Sequence, residues 1–212
     1  MPISRRAHPL RLCAALCLIG ALPAALSGCS PVGVAVGVGA TAGVMIAEER
    51  SIEDAGIDTR ITLEISEALF QAHIDDLFGP TNIDVVEGRV LLSGMVRTQE
   101  LADRGGGIAW QASGVRKVYN EYQIGDGSMV DPVRDRWITT QLRGRLLGDE
   151  NVYDVNYTIT TVAGTLYLIG IARGQAELDL VTAHASDIAY VRRLVSHVVM
   201  IDDPIRLPNV ED

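Results

Sequence analysis

Residues 87–96 read EGRVLLSGMV, and residues 163–172 read AGTLYLIGIA. Set one above the other, Gly88 meets Gly164 and Gly94 meets Gly170, both at a spacing of 76 residues. The same spacing carries Val115-Arg116-Lys117-Val118 onto Val191-Arg192-Arg193-Leu194. Upstream the spacing is 77, matching Asp54 to Asp131, Ile61 to Ile138, Ile65 to Leu142 and Leu69 to Leu146. One insertion or deletion between those two blocks accounts for the change. The chain therefore carries two copies of one folding unit, residues 54–126 and 131–203.

Periodicity gives the elements of each copy. Ile138, Leu142 and Leu146 recur at helical spacing, with Asp131 placed as the N-cap and Pro132 in the first turn. Alternating strands follow over 82–87 and 89–96 around Gly88, with counterparts over 155–162 and 165–172 around Gly164. A second helix (about 98–113 and 174–189) and a last strand (about 115–124 and 191–201) complete the unit. Gly105-Gly106-Gly107 weakens the expectation of a helix in the first copy, since each glycine costs about 1 kcal/mol relative to alanine. The fold class is α+β: each copy is an αββαβ unit with two helices on one face of a small three-stranded sheet.

The N-terminus belongs to export rather than to the fold. Arg5, Arg6 and Arg11 form a basic region, and Leu12 to Leu26 an uncharged apolar one too short for a comfortable membrane span. Residues 1–28 thus read as a signal peptide. It ends in Leu26-Ser27-Gly28-Cys29, which resembles the bacterial lipobox and so implies acylation of Cys29. Ser30 stands where an aspartate retains such lipoproteins in the inner membrane, which points to the outer membrane. Cys13 and Cys17 leave with the signal, so no disulfide framework and no cysteine-rich zinc site can form.

Residues 29–53 read as a Gly/Ala/Val-rich tether, with a flexible reach of about 25–30 Å. Its Gly37-Val38-Gly39-Ala40-Thr41-Ala42 matches a dinucleotide-binding pattern only formally, because no strand can precede it. The tail, residues 204–212, is expected to be disordered from Ile205 onward.

Gly88, Val90, Leu92 and Gly94, together with the run Gly114 to Glu121 (GVRKVYNE), resemble the BON domain of bacterial envelope and osmotic-stress proteins. The second copy departs from the second motif at Tyr190 and Ser196 but carries Trp-Ile-Thr-Thr at 137–140. Signal, lipobox, tether and two such copies resemble the dual BON-domain outer-membrane lipoproteins of the DolP type, over essentially the whole chain.

Catalytic chemistry is not assembled by these residues. His73, His184 and His197 fall on different elements without metal-ligand spacing. His184, Ser186 and Asp187 are neighbours on one helix and do not converge as a triad must. Asp75-Asp76 and Asp202-Asp203 read as solvated turn residues. No enzyme, metal or cofactor is expected. The net charge is −9, and it falls to −12 once residues 1–28, with three arginines and no acid, are removed. That balance argues against nucleic acid as a partner.

The strongest functional signal is residues 134–147, RDRWITTQLRGRLL. With Ile138, Leu142 and Leu146 turned inward, Trp137 points about 140° away from the core stripe. Thr140, Gly144 and Leu147 share that outer side, edged by Arg136 and Arg143, and Arg134 and Arg145 lie on the same helix. Arg60 stands at the matching position of the first copy. Two readings of Trp137 are open: a ring seated among lipid headgroups with guanidinium groups on phosphates, or an anchor packed against the first copy.

The resemblance implies the former: anionic phospholipid bound through the second BON domain, by Trp137, Arg134, Arg136, Thr140, Arg143, Gly144 and Leu147. It implies a lipid-anchored protein on the periplasmic face of the outer membrane that supports envelope integrity, with enrichment at division sites. The alternative is a tethered protein-interaction module that binds an outer-membrane assembly machine.

Overall fold

The computed structural model describes residues 51–206 apart from 73–76 and 78. The signal sequence, Cys29, the tether up to residue 50, His73, Asp75-Asp76 and residues 207–212 lie outside the described residues. The first copy comprises α1 (Ile52–Gln71), β1 (Asn82–Val86), β2 (Arg89–Val96), α2 (Gln99–Ala109) and β3 (Lys117–Ile124). The second comprises α3 (Pro132–Leu147), β4 (Tyr157–Val162), β5 (Thr165–Ala172), α4 (Gln175–Ser186) and β6 (Arg193–Met200). In each sheet the hairpin is antiparallel and the last strand runs parallel to the central one, in the orders β1-β2-β3 and β4-β5-β6.

Local chemistry explains where the elements begin and turn. Ser51 caps α1 by accepting from the Asp54 amide at 3.0 Å, so the first helix starts two residues before the repeat boundary. Asp131 caps α3 as expected, accepting from the Arg134 amide at 3.0 Å. The hairpins turn on Glu87-Gly88 and Ala163-Gly164, all four at positive φ, as a type I′ turn requires.

A buried carboxylate clasps each turn. Asp58 accepts from the amides of Glu87 and Gly88, both at 2.8 Å, and Asp135 accepts from those of Ala163 and Gly164, both at 2.8 Å. These aspartates sit one turn before Ile61 and Ile138 on the inward stripe, an acid inside an apolar face. The amides compensate the charge that burial would otherwise penalise.

Helix α2 runs unbroken through Gly105-Gly106-Gly107, against the weaker expectation. Close packing on β3 is the reason. A Cβ on Gly105 would lie 2.8 Å from the Tyr122 ring, and one on Gly106 would lie 2.7 Å from the Asn120 amide. The Asn120 amide in turn donates to the Ala102 carbonyl at 2.8 Å.

The helices cover one face of each sheet. Ile61, Ile65 and Leu69 meet Val90, Leu92 and Val96 in the first copy, and Ile138, Leu142 and Leu146 meet Leu166 and Leu168 in the second. The other faces are not solvated. Val86 and Leu91 pack with Val162, Tyr167, Ile169 and Ile171 in a third core between the sheets. Helices, sheet, sheet and helices thus stack in four layers. The central strands are buried almost residue for residue, where the sequence reading expected simple alternation.

The contact between the copies is reciprocal: β1 touches β5 and β2 touches β4. Matching residues even meet one another. Thr160 donates to Asp84 at 2.7 Å, and His197 bonds to Glu121 at 3.0 Å, each pair separated by the repeat spacing of 76. This is the geometry of an isologous dimer fused into one chain.

Arg89, fully buried at this seam, donates to the carbonyls of His197 (3.0 Å) and Gly170 (3.1 Å). Pro204–Arg206 forms a 3₁₀ turn, and Arg206 pairs with Glu87 of the first copy at 2.9 Å. The start of the tail is therefore held by an ion pair, in contrast to the disorder expected from Ile205 onward.

Candidate functional site

Helix α3 presents two faces. Ile138, Leu142 and Leu146 are no more than 1% exposed. On the outer side Trp137 is 42% exposed, Leu147 66% and Val133 81%. Arg134, Arg136, Thr140, Arg143 and Gly144 are all exposed beside them. Every residue that sequence reasoning placed on this side is exposed to solvent, but Arg136 lines a separate hollow with Pro80, Asn82, Gly94 and Met95 of the first copy. A Cβ on Gly144 would meet nothing within 4 Å, so the surface there is open and low.

Arg136 and Arg143 have no ion-pair or side-chain hydrogen-bond partner among the described residues, which leaves their charge for an outside ligand. Arg134 pairs with Asp131 at 3.5 Å, one turn back. Arg145 is turned elsewhere: it pairs with Asp187 at 2.7 Å and donates to the His184 carbonyl, tying α3 to α4.

Trp137 has a ring partner that the sequence reading did not name. Tyr190, in the loop before β6, lies edge-on to the indole with centroids 5.8 Å apart. The Arg134 guanidinium carbon sits 5.1 Å from the centre of the Tyr190 ring. Asp131, Val133, Arg134, Trp137 and Tyr190 line an open recess of about 550 Å³. All five belong to the second copy or its cap. The buried contact between the copies is made by the sheets, not by this tryptophan.

The first copy differs at the matching face. Arg60 stands at the Trp137 position and pairs with Glu64 at 3.8 Å. Leu63 and Phe70 are exposed on α1, and Trp110, which caps α2, is 53% exposed. So both tryptophans face outward, and sequence reasoning singled out only one. Trp110 directly follows the inward Ala109, a helical step off the core stripe, which was the available signal.

The titratable groups considered for chemistry are engaged structurally. His184 bonds to Asp149 at 2.8 Å, and that hydrogen bond, with those of Asn151, holds the Asp149 carboxyl below the usual carboxylate range. Ser186 donates to the Thr182 carbonyl rather than to a histidine. His197 stacks on Tyr119 with centroids 4.0 Å apart. Burial there pushes its pKa down, and the bond to Glu121 opposes that. Among the described residues no three His, Cys, Asp or Glu side chains gather where they could hold a metal ion, and no helix is long and apolar enough to cross a membrane.

Comparison with known proteins agrees with this architecture. The BON domain family model matches residues 57–126 and again 134–202. An uncharacterised protein from the gshII 5′ region of Anaplasma centrale is 32% identical over 70% of this chain and 98% of its own length. The outer membrane lipoprotein DolP of Haemophilus influenzae is 25% identical over 84% of this chain and 91% of its own. A 21 kDa hemolysin of Actinobacillus pleuropneumoniae is 29% identical over 54% of this chain and 59% of its own. The chain belongs to the BON-domain family and carries two BON domains in tandem.

Proposed function

We propose that this tandem BON-domain protein is a non-catalytic lipoprotein, anchored through acylated Cys29 to the periplasmic face of the outer membrane. There it docks its second domain on anionic phospholipid. The observation that carries the reading is Trp137, exposed on the one helix of the second copy that also carries the unpaired Arg136 and Arg143.

An indole seats at the headgroup level, and guanidinium groups match phosphates. Each cation near an anionic leaflet contributes about 1 kcal/mol. The unpaired Arg136 and Arg143 therefore give roughly 2 kcal/mol before any apolar insertion by Trp137, Val133 and Leu147. The acyl anchor supplies a high local concentration, so this modest affinity suffices to orient the domain. The acidic first copy then faces away from the lipid. Through this docking the protein supports envelope integrity, in keeping with its likeness to an outer membrane lipoprotein.

The test is flotation of residues 48–212, which contain every element and all three cores described, on vesicles with and without phosphatidylglycerol or cardiolipin. Wild-type protein floats only with the anionic lipid, and Trp137→Ala loses most of that binding while keeping its circular dichroism spectrum. Wild-type protein that ignores anionic vesicles would sink the reading.

A second reading rests on the first copy. Leu63, Phe70 and Trp110 give it exposed apolar groups, and its 12 acids against 6 basic residues suit a protein surface better than an anionic bilayer. It is the site at which an outer-membrane assembly protein would bind.

A further inference from the structure

Tyr190 holds φ at +69°, the left-handed region that a bulky L-residue avoids. The first copy solves the same turn with Gly114 at φ +94°. Two repeats of one unit thus share a backbone conformation. Only one fills it with the residue type that conformation favours. The strain is not offset by burial, because Tyr190 is 62% exposed.

What the tyrosine gains is position. Its ring stands edge-on to Trp137 and beneath the Arg134 guanidinium. Two residues on, Arg192 is exposed, with no ion-pair or hydrogen-bond partner for its side chain among the described residues. The matching Arg116 of the first copy instead donates to the Arg206 carbonyl. A second recess, of about 120 Å³, joins Tyr190, Arg134 and Arg192 and continues the larger one under Trp137. The acids in its wall are already engaged: Asp131 caps α3 and pairs with Arg134, and Asp135 clasps the hairpin turn.

We infer that the loop before β6 is the second half of the docking face, with Tyr190 as its second aromatic anchor and Arg192 as an added phosphate-facing cation. The strained turn is retained because it sets a second amphipathic ring beside Trp137. The pair gives the face a breadth that one helix cannot. The occupant is an anionic bilayer surface, argued from the charge of Arg134 and Arg192 around two exposed rings, with Arg136 and Arg143 exposed on the same helix as Trp137. This inference rests on the lipid reading above and adds an element to it.

The decisive variant is Tyr190→Gly, which restores the residue used in the first copy and relieves the turn. Flotation of residues 48–212 on phosphatidylglycerol or cardiolipin vesicles is measured for wild type, Tyr190→Gly, Tyr190→Phe, Arg192→Gln and Trp137→Ala, with a thermal melt for each. Tyr190→Gly binds at least about fivefold more weakly, and its Tm is unchanged or higher. Tyr190→Phe, which keeps the ring, binds as wild type, and Arg192→Gln binds about fivefold more weakly. Tyr190→Gly that floats as well as wild type, while Trp137→Ala does not, would overturn the inference and leave the lipid reading standing. A marked fall in the Tm of Tyr190→Gly would also overturn it, by showing that the tyrosine serves the fold. Failure of the wild type to float removes both.

Discussion

The two BON domains share a core and differ at their surfaces. Ile61, Ile65 and Leu69 become Ile138, Leu142 and Leu146, and the clasping Asp58 becomes Asp135. On the outer faces Arg60 becomes Trp137 and Gly114 becomes Tyr190. One repeat thus serves as a control for the other. Positions that agree report what the fold needs, and positions that disagree report what each copy does with it.

The largest effect should come from a feature the copies share. Asp135→Ala leaves the Ala163 and Gly164 amides buried without an acceptor, and the loss should be about 3 kcal/mol of stability. Asp58→Ala should lose a similar amount, since its two bonds have the same lengths. Urea denaturation of both variants checks this. Unequal losses of more than about 1.5 kcal/mol would break the equivalence of the copies.

Next comes a place where the copies chose different packings. The first sets Gly105 against Tyr122, and the second sets Val181 against Val198 at the same positions. Gly105→Val alone forces a Cβ to within 2.8 Å of the Tyr122 ring and should cost about 2 kcal/mol. Adding Tyr122→Val recreates the second copy's pair. A double-mutant cycle should show a favourable coupling of about 1 kcal/mol or more. Simple additivity would mean that the two positions do not compensate.

The smallest effect sits at the seam. Burial lowers the pKa of His197 below its ordinary 6.5, against the opposing bond to Glu121. The groups facing it are Tyr119 and Glu121 on β3, Arg89 on β2, and Arg193 on its own strand, which lies 3.8 Å from Glu121. The folded chain therefore favours the neutral ring. Its contribution is complete above the unfolded value and is lost as the pH falls below about 6.5 toward the folded value. Melts of wild type and His197→Gln between pH 7.5 and 5.5 test this. The wild type should lose a few degrees more than the variant on acidification.

Much of this was legible in the sequence because the repeat supplied two readings of every element. Strands β2 and β5 fall at the residues expected from the glycine spacing, and Asp131 is the cap its position suggested. The outward face of α3 followed from the 3.6-residue period alone. What was not legible depends on contacts between distant segments. Nothing in the residue type of Tyr190 announces a left-handed backbone. The glycine triplet reads as a weak helix until Tyr122 and Asn120 are seen against it. The packing of sheet on sheet was encoded in the nearly unbroken apolar runs of β2 and β5, which a search for strict alternation passes over.

The approximate two-fold axis between the copies has a consequence for the company this protein keeps. A residue near such an axis meets its own counterpart, so two chains could also associate by pairing like copy with like. First copy on first copy would set Asp84 against Asp84 and Glu121 against Glu121. Within one chain those same spots hold a Thr160 hydroxyl and a His197 ring. Facing carboxylates cost several kcal/mol where unlike neighbours form hydrogen bonds. Two differences between the copies therefore bias the seam toward a first copy with a second, a safeguard against first copies pairing with one another when many chains are crowded together.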